Sequence, residues 1–168
     1  MNRQDKYNKY FMRIAKEISQ LSQCLSRKVG CVIISQLGSL ISSGFNGNMP
    51  HTPHCNETGI CIRKQQINQD GTWKFAPAQH LNMCLAVHAE QNALMQICKN
   101  GGTSTRGASI YCTTFPCTPC LKLIVSAGIE KVFYNEEYKD EMYEIVMEQL
   151  KGKIEFTKVE IGDDDDVT

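Results

Sequence analysis

The chain has no surplus of charge of either sign. Its 18 Lys and Arg balance 18 Asp and Glu over 168 residues, for a formal net charge of zero. Proteins that grip long nucleic acid without regard to sequence usually carry a basic surplus, so a small ligand is the better expectation. No apolar run approaches the roughly 18–20 residues that span a bilayer. The segment Met1 to Tyr10 is polar and mixed in charge and has no apolar h-region, so secretion is not expected. The expected compartment is the cytoplasm, where thiols stay reduced. No internal repeat is visible. Neither is any independent phosphate-binding motif. Apolar residues nevertheless make up 42% of the chain, too many for a disordered protein. The length fits one domain over residues 1–168, with 162–168 read as a solvated acidic tail without function.

Cysteine is plentiful, at nine residues. An odd number fits poorly with a complete intrachain disulfide framework. In a reducing compartment, clustered Cys and His are more often metal ligands, and scattered Cys more often small buried apolar residues.

Tyr7, Tyr10, Phe11, Ile14, Ile18 and Leu21 mark one face of an amphipathic helix. Cys31 to Ile34 and Leu40-Ile41, split by Gly38, read as a hairpin that ends in a turn at Gly44 to Asn48. From 47 to 83 the periodicity disappears. Three prolines, three histidines and two cysteines fall there. A structureless loop of that length is uncommon unless it is functional or held by something, and a metal is one candidate. Order returns at His88, with a helical face through Ala89, Ala93, Leu94 and Ile97 that Gly101-Gly102 stops. A strand over Ala108 to Thr114 follows, then a helix from Pro116 to Gly128 and a strand over Lys131 to Tyr134. A helix over 140–150 and a short strand through Ile154, Phe156 and Val159 complete the pattern. This order, α-β-β-α-β-α-β-α-β, predicts an α/β fold with a mixed sheet and helices on both faces.

Two segments concentrate the chemistry: His88-Ala89-Glu90 and Pro116-Cys117-Thr118-Pro119-Cys120. Zinc takes N and S donors, and a catalytic zinc keeps three protein ligands plus a position for water. His88, Cys117 and Cys120 supply three donors. Cys117 and Cys120 are three residues apart at a helix start, where the positive end of the helix favours thiolate. Glu90 is close enough to face the same water without ligating. Its role would be to take a proton from that water and pass it to a leaving amine. Taken singly, the parts are ambiguous. Cys-x-x-Cys also serves as a redox pair or half a structural zinc site, a lone His is more often a core residue, and a lone Glu a helix-start surface residue. Their order and combination match the zinc nucleobase deaminase pattern, H-x-E followed by P-C-x-x-C.

At these residues the chain resembles the cytidine/deoxycytidylate deaminase superfamily, most closely its deoxycytidylate branch. The resemblance runs from about Tyr10 to Val159. Supporting segments are Lys28 to Ile33, Gly44 to Gly47, Val87 to Ala93, and Ala127-Gly128-Ile129 with Tyr138 beyond. Free cytidine deaminases resemble a Cys-Ala-Glu version of the first motif. Adenosine deaminases acting on tRNA share the His form but look shorter before it and need a basic surface. Riboflavin-pathway deaminases usually space the two cysteines further apart.

The resemblance implies a three-layer α/β/α fold with a five-stranded mixed sheet. It implies hydrolysis of dCMP to dUMP and ammonia, feeding dTTP synthesis. It also implies a homo-hexamer activated by dCTP and inhibited by dTTP, with Mg2+ accompanying the triphosphate. Asn46 is expected at the sugar or base, and Ala89 with Glu90 at the cytosine edge. Ser26, Arg27 and Tyr138 match positions for the 5′-phosphate. Arg27 also reads as a surface charge beside the first strand, and Tyr138 as a half-buried packing ring. Some relatives hold a second, structural zinc. Cys24, His54, Cys55, Cys61, His80 and Cys84 are available for it, and Cys24, Cys55, His80 and Cys84 are the expected set. Two other functions stay open: a zinc-stabilised nucleotide-binding module without catalysis, and a deaminase of another cytosine nucleoside or a polynucleotide.

Overall fold

The computed structural model describes residues 2–62 and 84–162. The amphipathic spacing near the start forms α1 (Arg3–Ser19). Asn2 caps it, its side chain accepting the Asp5 N–H at 2.8 Å, which satisfies one donor that a helix start leaves without an internal partner. The hairpin forms β1 (Gly30–Ile34) and β2 (Leu40–Phe45). β2 runs past the expected Leu40-Ile41 because Ser42 and Ser43 stay paired with Ile33 and Val32. The Ser42 hydroxyl then donates to the Ala93 carbonyl at 2.6 Å, so a polar residue is satisfied where the apolar pattern ends.

Two elements next come from the irregular stretch, β3 (Gly47–Asn48) and the four-residue α2 (Cys55–Thr58). β4 (Ala86–Val87) follows, pairing antiparallel with β3. Two-residue strands are too short to show a period, so neither was visible in the sequence pattern. The chain continues as α3 (Ala89–Lys99), β5 (Ser109–Thr114), α4 (Thr118–Ser126), β6 (Lys131–Glu136), α5 (Tyr143–Leu150) and β7 (Glu155–Lys158). α4 starts two residues later than expected, and it is Pro119, not Pro116, that stands in its first turn. Much of the expected irregular stretch, and all but residue 162 of the expected acidic tail, lie outside the described residues. Among the described residues no helix is long and apolar enough to cross a membrane.

The main sheet has five strands in the order β2-β1-β5-β6-β7. β1 is antiparallel to β2 and β5, while β5-β6 and β6-β7 are parallel. The sheet is therefore mixed, as expected. Alternation along the strands sends side chains to two cores. Cys31, Ile33, Ile110, Cys112 and Val132 face Ala89, Ala93 and Ile97 of α3 and Ile124 of α4. Val32, Ile34, Tyr111 and Phe133 face Phe11, Met12 and Ala15 of α1. The Tyr111 and Phe133 rings stack there at 4.4 Å. α5 is anchored through Tyr143, whose ring meets Phe115 edge-on at 5.3 Å.

Two glycines set how closely helices approach this sheet. A side chain at Gly30 would run into the backbone of Ala15 and Ser19 in α1. One at Gly44 would run into the Ala89 carbonyl and the backbone of Ala93 in α3. The second approach fixes the depth at which the start of α3 lies on β2. Gly44→Ala should therefore lower stability by about 1–3 kcal/mol through overpacking, read as a lower denaturant midpoint. An unchanged midpoint would mean that α3 does not rest on β2 at this position.

Candidate functional site

Both chemical motifs stand where an irregular or extended segment turns into a helix. His88 is the N-cap of α3 and Cys117 the N-cap of α4. The His88 backbone N–H donates to Gln91 Oε1 at 2.9 Å, which holds the turn that presents the imidazole. His88 Nδ1 lies 3.3 Å from Cys117 Sγ and 3.4 Å from Cys120 Sγ. A tetrahedral zinc with ordinary Zn–N and Zn–S bonds sets N···S separations of about 3.5 Å. The three donors therefore fit such an ion closely. Among the described residues they form the one group of three or more Cys, His, Asp or Glu ligand atoms lying within 4.8 Å of one another. Both sulfurs are buried, Cys120 completely and Cys117 at 5% exposure, as a closed side of a metal site requires.

The electrostatics suit a cation. The Cys120 S–H donates to Cys117 and pulls the Cys117 thiol well below its ordinary range. Burial opposes this shift, and His88 adds to it. Cys120 is pushed up in turn, since it keeps the proton of the pair. A dication removes that conflict by taking both sulfurs as thiolates.

Glu90, the second residue of α3, is 4% exposed. Burial first, and the neighbouring Cys117 second, push its carboxyl up to about 7. A hydrogen bond from its own backbone N–H and the His88 charge act the other way. A carboxyl poised near neutrality can both accept and return a proton. Behind it, Cys31 and Cys112 face each other across β1 and β5. Burial pushes both thiols up, so they stay protonated and serve as packing.

Asn46 follows β2 and organises the loop that leads into β1. Its Oδ1 accepts from the Val29 N–H and the Ser22 hydroxyl, both at 2.8 Å, and its Nδ2 donates to the Arg27 carbonyl at 2.9 Å. The Ser22 hydroxyl also reaches the Asn46 carbonyl at 2.7 Å. Sequence reasoning placed Asn46 at the ligand and passed over Ser22, a buried serine in a polar segment without periodicity. Arg27 is exposed, and its guanidinium lies 5.8 Å from the centre of the half-buried Tyr138 ring. The structure thus brings two of the three expected phosphate residues, Arg27 and Tyr138, together from loops more than 100 positions apart. Ser26 is exposed, with its N–H directed at Cys24 Sγ at 3.4 Å. Ala89 is fully buried at the start of α3.

Four of the five remaining cysteines lie in one region of the molecule, without converging as closely as the first three donors do. Burial pushes the Cys55 thiol up, and Cys24, Cys61 and Cys84 are near enough to raise it further. Three of the four residues expected there, Cys24, Cys55 and Cys84, thus act on one another electrostatically. Cys61, which the expected set omitted, joins them, and His80 lies outside the described residues.

A family model described as the cytidine and deoxycytidylate deaminase zinc-binding region matches residues 5–136. The chain is 35% identical over 133 residues to the deoxycytidylate deaminase of Saccharomyces cerevisiae, covering 79% of this chain but only 38% of that protein. It is 33% identical over 137 residues to the deoxycytidylate deaminase of Mycobacterium phage D29, covering 82% of this chain and 99% of that one. The crystal structure of the dCMP deaminase of cyanophage S-TIM5 in complex with dCMP and dUMP superimposes with a TM-score of 0.67 at 31% identity. That match covers 94% of this chain and 98% of the other.

The donor geometry makes a direct prediction. The purified protein carries at least one zinc per chain, and His88→Ala lowers that content by about one. Elemental analysis finding no transition metal after mild purification would contradict the assignment.

Proposed function

Because this chain belongs to the cytidine and deoxycytidylate deaminase family, we propose that it hydrolyses dCMP to dUMP and ammonia. The observation that carries this reading is the buried Glu90 carboxyl beside the His88, Cys117 and Cys120 donors. A protein that only sequestered nucleotides would have no use for a carboxyl so placed.

Zinc, when bound, polarises a water and brings its pKa toward neutrality. Glu90 accepts a proton from the attacking water and returns it to the exocyclic nitrogen of the base. Water adds at C4, the C4–N bond breaks, and the products are dUMP and ammonia. The Ala89 backbone and Glu90 read the cytosine edge. Asn46 has a second N–H on Nδ2 for the sugar or base, besides the one given to Arg27. Arg27, with Tyr138 and Ser26, receives the 5′-phosphate, where a charge-assisted pair and neutral donors suit a dianion.

Zero net charge supports a mononucleotide over a polynucleotide substrate. The electrostatic reach of Cys24, Cys61 and Cys84 to Cys55 supports a second, structural zinc held by Cys24, Cys55, His80 and Cys84, with Cys61 as an alternative ligand. A single domain, cytoplasmic residence, a hexamer, and control by dCTP and dTTP with Mg2+ complete the reading by family likeness. The place of this reaction is the supply of dUMP to dTTP synthesis.

Two variants test the roles separately. Glu90→Gln keeps the shape and removes the proton carrier, so zinc and dCMP binding persist while turnover falls by roughly 10²–10⁴-fold. Near-normal turnover would assign the proton transfer elsewhere. Arg27→Ala removes a charge-assisted bond worth about 1.5–3 kcal/mol, so dCMP binding weakens roughly tenfold to hundredfold. Deoxycytidine, which has no phosphate, is hardly affected. Equal weakening of both would make Arg27 a structural residue.

A further inference from the structure

The start of α4 lacks a cap of its own. Its N-cap is Cys117, whose side chain makes no capping hydrogen bond because its sulfur is turned to His88 and Cys120. The missing cap comes from 22 residues away. Asp140 Oδ2 accepts the Thr118 backbone N–H at 2.6 Å, and Oδ1 accepts the Thr118 hydroxyl at 2.8 Å. Oδ1 also accepts the Met142 N–H at 3.2 Å, and the Asp140 carbonyl accepts the Tyr143 N–H at 3.1 Å. One carboxylate thus closes the turn that opens α5 and grips the first residue of α4. Thr118 is buried, so water is a poor substitute partner. Tyr138, which faces the Arg27 guanidinium, lies two residues before Asp140 on the same segment.

We infer that Asp140 is a positioning residue, holding the helix start that bears Cys117 and Cys120 in register with the segment that bears Tyr138. A carboxylate at this end of a helix is favoured by the orphan N–H groups and by the helix dipole. Its effect on the metal runs through the backbone between Cys117 and Cys120, since its oxygens bond to Thr118 between them. It reaches the phosphate end through the short link to Tyr138. The metal half of this role needs only the His88, Cys117 and Cys120 centre, and the nucleotide half rests on the proposed substrate.

The test compares Asp140→Ala with Asp140→Asn in the zinc-loaded protein. Asn can still accept from the Thr118 N–H and donate to its hydroxyl oxygen, giving up the bond from the Met142 N–H. Groups that orient metal ligands typically matter about 10–100-fold in affinity, so Asp140→Ala should surrender zinc to a competing chelator about 10–100 times more readily. Asp140→Asn should restore most of that retention. In kinetics, Asp140→Ala should raise KM for dCMP more than KM for deoxycytidine. If Asp140→Ala does not fold, Thr118→Val, which deletes only the hydroxyl bond, takes its place and should weaken zinc retention in the same direction. Unchanged zinc retention in whichever of these folds overturns the inference. So does an Asp140→Asn protein that loses zinc as fast as Asp140→Ala, and an equal rise in both KM values overturns the link to Tyr138. Chelator competition needs no substrate. A parent protein inactive on dCMP but dependent on Asp140 for its zinc would therefore overturn the substrate reading and leave this one standing.

Discussion

An imidazole and two thiols, 29 and 32 residues apart in the chain, converge to 3.3 and 3.4 Å. Such a cluster of donors is costly to assemble without a cation, since the thiols compete for one proton and burial removes the water that would stabilise their charge. The rest of the molecule can be understood as the means of imposing that convergence. The sheet sets β1, β2 and β5 side by side, and β5 delivers the chain directly to Phe115, Pro116 and Cys117. Gly44 lets α3 settle onto β2 at backbone contact, which places His88 at the right depth. Two helix starts then meet, each with a metal donor at its N-cap, so both helix dipoles favour negative charge where the thiolates must form.

The same burial that makes the donors costly makes Glu90 useful. In water a glutamate would remain a weak base at neutral pH. At 4% exposure, beside sulfur, it is held near neutrality, where proton acceptance and donation are balanced. A bound dication would act against that rise, so the carboxyl of a metal-loaded site would reflect both influences. The loop clamped by Ser22 and Asn46 and the segment clamped by Asp140 approach from opposite ends of the chain. They bring Arg27 and Tyr138 to a common place.

Legibility in the sequence followed the range of the interactions. His88, Glu90, Cys117 and Cys120 were visible because metal ligation and helix starts impose short, fixed spacings. The mixed sheet with helices on both faces was visible because strand and helix periods alternate cleanly after His88. What stayed hidden depends on partners far along the chain. Asp140 reads as one more acidic loop residue until Thr118 is placed beside it. Ser42 and Ser43 conceal the second half of β2 because a serine satisfied by a helix carbonyl carries no apolar signal. The Cys24, Cys55, Cys61 and Cys84 group had candidates but no spacing rule, since irregular chain obeys none.

The central claim is that this site removes the amino group of a cytosine mononucleotide. Its most direct test is ammonia release by the zinc-loaded protein over dCMP, CMP, deoxycytidine, cytidine and a cytosine-containing single strand. The account predicts that dCMP is the preferred substrate, with one ammonia formed per dUMP and deoxycytidine far slower. Preference for deoxycytidine, or no ammonia from any member of the series with zinc in place, would contradict it.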